Sequence, residues 1–176
     1  RNPWGGPLGN LLIDGDFEFS IVIDGEQPQT GWYNATMNGS LGYLRGETGG
    51  MCRSGLRCGV LEAERVLFGQ GTSALDSAMV ASFWIKPPPE RACGAVVTAY
   101  ALPCSASSNV VWQVLAVADQ PDSAGWCHYQ GAVPERTTAT CMYIESNLIG
   151  AETALIDAAT LLPDDGSTAT RALHTL

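Results

Sequence analysis

Three acidic residues stand at alternate positions near the start of the chain, in the run Asn10-Leu11-Leu12-Ile13-Asp14-Gly15-Asp16-Phe17-Glu18. Successive side chains of an extended backbone point to opposite sides, so Asp14, Asp16 and Glu18 are expected on one face and Phe17 on the other. Oxygen-rich clusters of this kind suit a hard cation such as calcium. The plainer alternative is a solvated strand edge running into a turn. A distant partner favours the cation: Ala154-Leu155-Ile156-Asp157-Ala158-Ala159-Thr160-Leu161-Leu162 is a strand-like run that holds a single Asp.

The sulfur chemistry is of a different kind. Six cysteines (Cys52, Cys58, Cys93, Cys104, Cys127 and Cys141) form an even set, no C-x-x-C pair occurs, and the histidines are His128 and His174. That pattern disfavours thiolate zinc. Disulfides formed in an oxidising compartment account for it better, which points to a secreted or cell-surface protein. The start at Arg1-Asn2-Pro3 suits a processed chain. Sequential pairing, 52–58, 93–104 and 127–141, is the expectation, because each pair flanks a turn or hairpin signal.

Catalysis finds little support. No G-x-S-x-G elbow lies near either histidine, and Cys–His chemistry would need a free thiol. A glycosidase pair of carboxylates stays open, although the acids fall mainly in the amino-terminal cluster and in turns. The expectation is a protein without enzymatic activity. Formal charge is −9, with Lys86 as the sole lysine. A nucleic-acid binder needs a basic stripe to release counterions from phosphate, and an anionic membrane surface would repel such a chain. No apolar run is long enough to cross a bilayer. The partner should be neutral or cationic.

The elements that must position these groups read as short strands. Twenty Gly and ten Pro, with 15% charged residues, indicate many brief elements joined by turns. Strand signals recur at 11–13, 17–19, 41–45, 56–63, 79–86, 94–102, 110–117, 126–131, 138–145 and 154–162. Turn clusters separate them, among them 46–50, Pro87-Pro88-Pro89, 105–109 and 119–123. This spacing predicts an all-β fold, a two-sheet antiparallel β-sandwich or jelly roll. One domain is expected over 10–163, with tails at 1–9 and 164–176. The Ala- and Leu-rich stretch 149–162 also admits a helix. In 79–86 the phase puts Met79, Ala81, Phe83 and Ile85 in the core and Val80, Ser82, Trp84 and Lys86 on the other face. In 138–145 it puts Thr140, Met142 and Ile144 inside.

Taken together, the first and last strands, Gly31-Trp32, Ser54-Gly55-Leu56-Arg57 and Ser82-Phe83-Trp84-Ile85-Lys86 resemble patterns of the jelly-roll carbohydrate-binding modules of the galactose-binding-like superfamily. The resemblance spans about residues 10 to 163 as spaced short patterns. In the last strand Ala158 and Ala159 replace the family's usual second acid and Val. The resemblance decides for a final strand over a helix. It also implies a structural calcium between first and last strands, held by Glu18 and Asp157 with Asp16 as a third ligand. The competing role for Asp157 is to cap a turn or accept backbone hydrogen bonds.

The implied function is binding of a neutral oligo- or polysaccharide, by stacking sugar faces on aromatic rings while amides and carboxylates bond the hydroxyls. Phe17, Trp32, Phe83 and Trp126 are expected in the core. Trp84, Trp112, Tyr129 and Tyr143 are the candidate platform, with Gln113, Gln130, Glu145 and Arg45 as polar companions. Tyr33 and Tyr43, assigned to loops, form a second set. For each ring, packing in the interior is the competing role. A disulfide 127–141 beside Tyr129 and Tyr143 would narrow the groove. The rival function is a structural or adhesive sandwich without a sugar site.

Overall fold

The computed structural model describes residues 10–12, 15–18, 21–22, 32–36, 41–42, 44–70, 78–104, 113–133 and 140–164. Their strands are β1 (Ile21–Val22), β2 (Trp32–Thr36), β3 (Leu41–Gly42), β4 (Leu44–Thr48), β5 (Arg57–Glu62), β6 (Arg65–Gln70) and β7 (Met79–Lys86), followed by β8 (Val97–Pro103), β9 (Gln113–Val114), β10 (Ala116–Val117), β11 (Cys127–Val133), β12 (Thr140–Ser146) and β13 (Thr153–Pro163). They form two sheets, one of seven strands in the order β1-β4-β5-β13-β7-β11-β10 and one of six in the order β3-β2-β6-β12-β8-β9. Pairing is antiparallel throughout except between β1 and β4. The fold is therefore the expected all-β sandwich.

Side-chain parity builds the interior. Along β7, Met79, Ala81, Phe83 and Ile85 are buried, while Val80, Ser82, Trp84 and Lys86 are half-buried on the outer side. Met142 and Ile144 of β12 meet them from the second sheet's inner face, and Thr140 is buried as well, as the phase predicted. Pro87-Pro88-Pro89 ends β7, since proline offers no ladder donor. Phe17, Trp32, Phe83 and Trp126 are buried as expected. Phe17 lies 4.7 Å from Trp32 between ring centres.

The stretch read as helix or strand is β13, eleven residues long and set between β5 and β7. Its ladder to β7 shifts register between Asp157 and Thr160, where Ala158 adopts a left-handed φ of 51°. The amino-terminal segment docks along this bulge. Asn10 donates from Nδ2 to the Ala159 carbonyl at 3.0 Å and accepts from the amides of Leu12 and Leu161 at 3.2 and 2.8 Å. The Leu11 amide reaches the Leu161 carbonyl, and the Ala159 amide reaches the Gly15 carbonyl at 2.7 Å. A Cβ on Gly15 would lie 2.1 Å from the Ala159 oxygen, so only glycine fits this approach. The two ends of the sandwich thus meet as the sequence suggested.

Several local readings are corrected. The acids at 16 and 18 do not share a strand face: the chain turns at 15–16, and Phe17 sits at a φ of 58°. Residues 46–48, read as a turn, belong to β4; Trp32 and Tyr33 open a strand; and β6 was not foreseen. Asp14, Tyr43 and Trp112 lie outside the described residues.

Of the disulfides, Cys52–Cys58 forms as expected, while the others are Cys93–Cys127 and Cys104–Cys141 instead of 93–104 and 127–141. Sequential pairing assumed local hairpins. However, β11 and β12 belong to different sheets, which separates Cys127 from Cys141. Strand β8 pairs with β12, and Cys104 at its end reaches Cys141 directly.

Candidate functional site

The row of register partners across the six-stranded sheet builds one candidate face. Cross-strand partners share a side of the sheet. The register aligns Tyr143 of β12 with Tyr100 of β8. Tyr143 and Tyr100 alternate with buried Met142, Ile144, Ala99 and Ala101, so both rings stand on the outer side. Their centres lie 6.2 Å apart at 52°. The next row holds Glu145 opposite Thr98, and Asn147 donates to the Thr98 hydroxyl at 3.0 Å. Burial first, then the charge of Glu145, then Tyr100, push the Tyr143 hydroxyl above its ordinary pKa. A carboxylate, a hydroxyl and a side-chain amide therefore flank two adjacent rings, a combination suited to a polyhydroxylated ligand with apolar faces.

The predicted site residues do not converge on one surface. Tyr143 and Glu145 lie on this face, whereas Trp84 and Gln130 lie on the outer side of the seven-stranded sheet. Arg45 also belongs to that second sheet, opposite Val60. The backbone of Gln113 pairs with Ala101 in the six-stranded sheet. Tyr129 is no platform. It is 2% exposed, stacks on Phe83 at 4.7 Å and donates its hydroxyl to the Cys93 carbonyl at 2.6 Å. Its pKa is raised to about 12, chiefly by burial. The parity of β11 carried the signal, because Tyr129 shares the side of buried Cys127 while His128 and Gln130 alternate outward. Tyr100 was missed because its segment offers little polar contrast between faces.

The second face is roofed. Arg53 holds its guanidinium carbon 3.4 Å from the centre of the Trp84 ring, and His128 stacks on the same ring at 4.2 Å. Two groups this near the ring cannot share one side, so Trp84 is sandwiched and offers no open face to a sugar. Arg53 also pairs with Asp122, whose carboxyl lies below its usual pKa through bonds to the Trp126 amide foremost. His128 bonds Ser82 at 2.7 Å, and burial followed by the Arg53 charge lowers its pKa, which favours the neutral ring.

The Arg53 loop also receives the two acids expected to bind calcium. Asp157 accepts from the Ser54 amide and hydroxyl at 2.8 and 3.2 Å and from the Ala158 amide at 2.6 Å. Burial above all raises its pKa to about 6. Glu18 accepts from the amides of Leu56 and Arg57 at 2.7 and 3.2 Å. Gly55, at a φ of 61°, lets the loop pass: a Cβ there would stand 1.8 Å from Glu18 Oε1. Asp16 is buried as well, and among the described residues no three His, Cys, Asp or Glu side chains gather as a metal cage. Among the described residues no helix is long and apolar enough to cross a membrane.

No protein-family model matches the sequence, and no curated protein matches it. Solved structures do resemble the fold. The family 61 carbohydrate-binding module TmCBM61, solved with β-1,4-galactotriose, matches with a TM-score of 0.56 at 10% identity over 88% of this chain and 98% of that one. The Clostridium thermocellum endo-1,4-β-D-xylanase 10B, solved as its CBM22-1 and GH10 modules with xylohexaose, matches at 0.54 and 15% identity over 76% of this chain. This chain spans 26% of that enzyme's length. Tailspike protein 4 of bacteriophage CBA120 matches at 0.55 and 10% identity over 88% of this chain and 21% of that one. At identities this low the likeness shows the fold alone, a two-sheet antiparallel jelly-roll sandwich.

Proposed function

We propose that the protein is a carbohydrate-binding module of a secreted protein, which holds a neutral glycan on the outer face of its six-stranded sheet without chemical conversion. The observation that carries this reading is the adjacency of Tyr100 and Tyr143 with Glu145, Thr98 and Asn147 beside them. The likeness to modules solved with galactotriose and xylohexaose supports the ligand class. Three disulfides support an oxidising, extracellular setting. Net charge of −9 supports a ligand without anionic groups.

A screen of neutral oligosaccharides, followed by calorimetry on the best binder, tests the proposal. Tyr143→Ala should weaken binding by ~0.5–1.5 kcal/mol, the scale of one lost ring contact, while Trp84→Phe should leave it unchanged. Failure of every neutral glycan would leave the adhesive sandwich as the reading. The roofed Trp84 and buried Tyr129 are the observations in that rival's favour.

A calcium ion at the junction of the ends is part of the same proposal, with Glu18 and Asp157 as its side-chain ligands. The convergence of both on one loop supports it, although their hydrogen bonds are made to amides. Calcium would supply an extra tie between the ends, worth ~2.7 kcal/mol at 100 times its dissociation constant. Chelation should then lower the melting temperature. An unchanged melting curve in excess chelator and in added calcium removes the ion from the proposal.

A further inference from the structure

The Cys104–Cys141 bridge stands on the same face as the two tyrosines. Along β12, Cys141 alternates with buried Thr140 and Met142, as Tyr143 does with Met142 and Ile144, so Cys141 leaves the sheet on the outer side. Its register partner Leu102 lies two positions from Tyr100 on β8 and shares that side. Three cross-strand rows therefore succeed one another: Cys141 with Leu102, Tyr143 with Tyr100, and Glu145 with Thr98. Burial changes along them. Cys141 and Leu102 are buried although they face outward, whereas both tyrosines, Glu145 and Thr98 are half-buried. Outward side chains are buried only beneath cover, and partly exposed Cys104 contributes to it through the bridge.

A ligand lying across the middle row thus has unlike flanks. On one side are the Glu145 carboxylate, the Thr98 hydroxyl and the Asn147 amide, which exchange hydrogen bonds with sugar hydroxyls. On the other are a disulfide and a leucine, which offer no strong donor or acceptor. A hydroxyl or branch pressed against that flank gives up water without gaining a partner. We infer that the Cys104–Cys141 bridge and Leu102 form an apolar wall that makes the site selective for unbranched glycans, an inference that rests on the carbohydrate-binding function proposed above. The two rings set the direction of the ligand, because a sugar chain stacked on both Tyr100 and Tyr143 runs across the strands from β8 to β12. One edge of the chain then follows the wall. Successive β-1,4-linked sugars are turned about the chain axis, so opposite edges take turns there. Branches on consecutive sugars therefore cannot all point away from the wall.

Calorimetry on the full chain tests this with linear xylohexaose, cellohexaose and mannohexaose, each set against the same backbone carrying arabinosyl, xylosyl or galactosyl branches. The linear form that binds should do so about ten-fold more tightly than its branched counterpart, the scale on which an apolar pocket rejects added bulk. Leu102→Ala, which keeps the bridge, and the double variant Cys104→Ala with Cys141→Ala should each shrink that ratio to about three-fold or less. Cys52→Ala with Cys58→Ala removes a bridge of the other sheet and should leave the ratio as in the wild type. Equal or tighter binding of the branched forms, a ratio that neither wall variant reduces, or one reduced as much by the Cys52–Cys58 control overturns the wall and leaves the carbohydrate-binding function standing. Binding of none of these glycans, linear or branched, overturns both.

Discussion

Tyr129, expected in a sugar platform, is a core residue instead. Its ring packs flat on Phe83, and its hydroxyl is spent on the Cys93 carbonyl. Tyr129→Phe should therefore cost ~1 kcal/mol at neutral pH, the net value of a lost hydrogen bond. The raised pKa, about 12 against 10 in the unfolded chain, also fixes a pH dependence. Its stabilisation is complete below pH 10, where both states keep the proton. It is lost as pH climbs towards 12, because the unfolded chain ionises first. Urea unfolding at pH 7 and near pH 11.5 should show a steeper alkaline loss in the wild type than in Tyr129→Phe, and equal losses would refute the assignment. Strand parity was legible in β7, where polar and apolar residues alternate cleanly. In β11 parity also set Tyr129 on the side of Cys127, but a tyrosine suits both a core and a sugar site, so the ring type pointed the other way.

Elements reveal what tied the ends together. The opening Asn10 was read as a letter of a pattern, yet it bridges two segments by holding Ala159, Leu161 and Leu12 at once. Asn10→Ala should lower stability by ~3 kcal/mol, since it strands buried backbone groups, with a correspondingly lower denaturation midpoint at constant m-value. A change within about 0.5 kcal/mol would show that water replaces the amide. The strand at 79–86 was visible as alternation, whereas at 154–162 the family resemblance alone decided for a strand over a helix. The bulge at Asp157 was not: a shift in register leaves no compositional mark when its residues are two alanines. The turn at Gly15 was hidden likewise, because alternate acids mimic a strand whether or not the backbone stays extended.

At the scale of the molecule, the covalent frame crosses the fold. Peptide mapping under non-reducing conditions should return the pairs Cys93–Cys127 and Cys104–Cys141. Their sequence separations of 34 and 37 imply ~4 kcal/mol each in the chain-entropy model. Recovery of 93–104 and 127–141 would contradict the sheet order. That order could not be read from spacing, because most connections cross between the sheets, so that β11 and β12, neighbours in sequence, lie in opposite layers. The position of β13 has a consequence for assembly. Its residues are synthesised after those of every other strand described, yet it lies in the middle of the seven-stranded sheet, between β5 and β7. A nascent chain lacking them has two half-sheets with open edges and no seam to join them. Closure of the sandwich must wait for that strand to slot in, so the seven-stranded sheet stays open along its centre until β13 has been made.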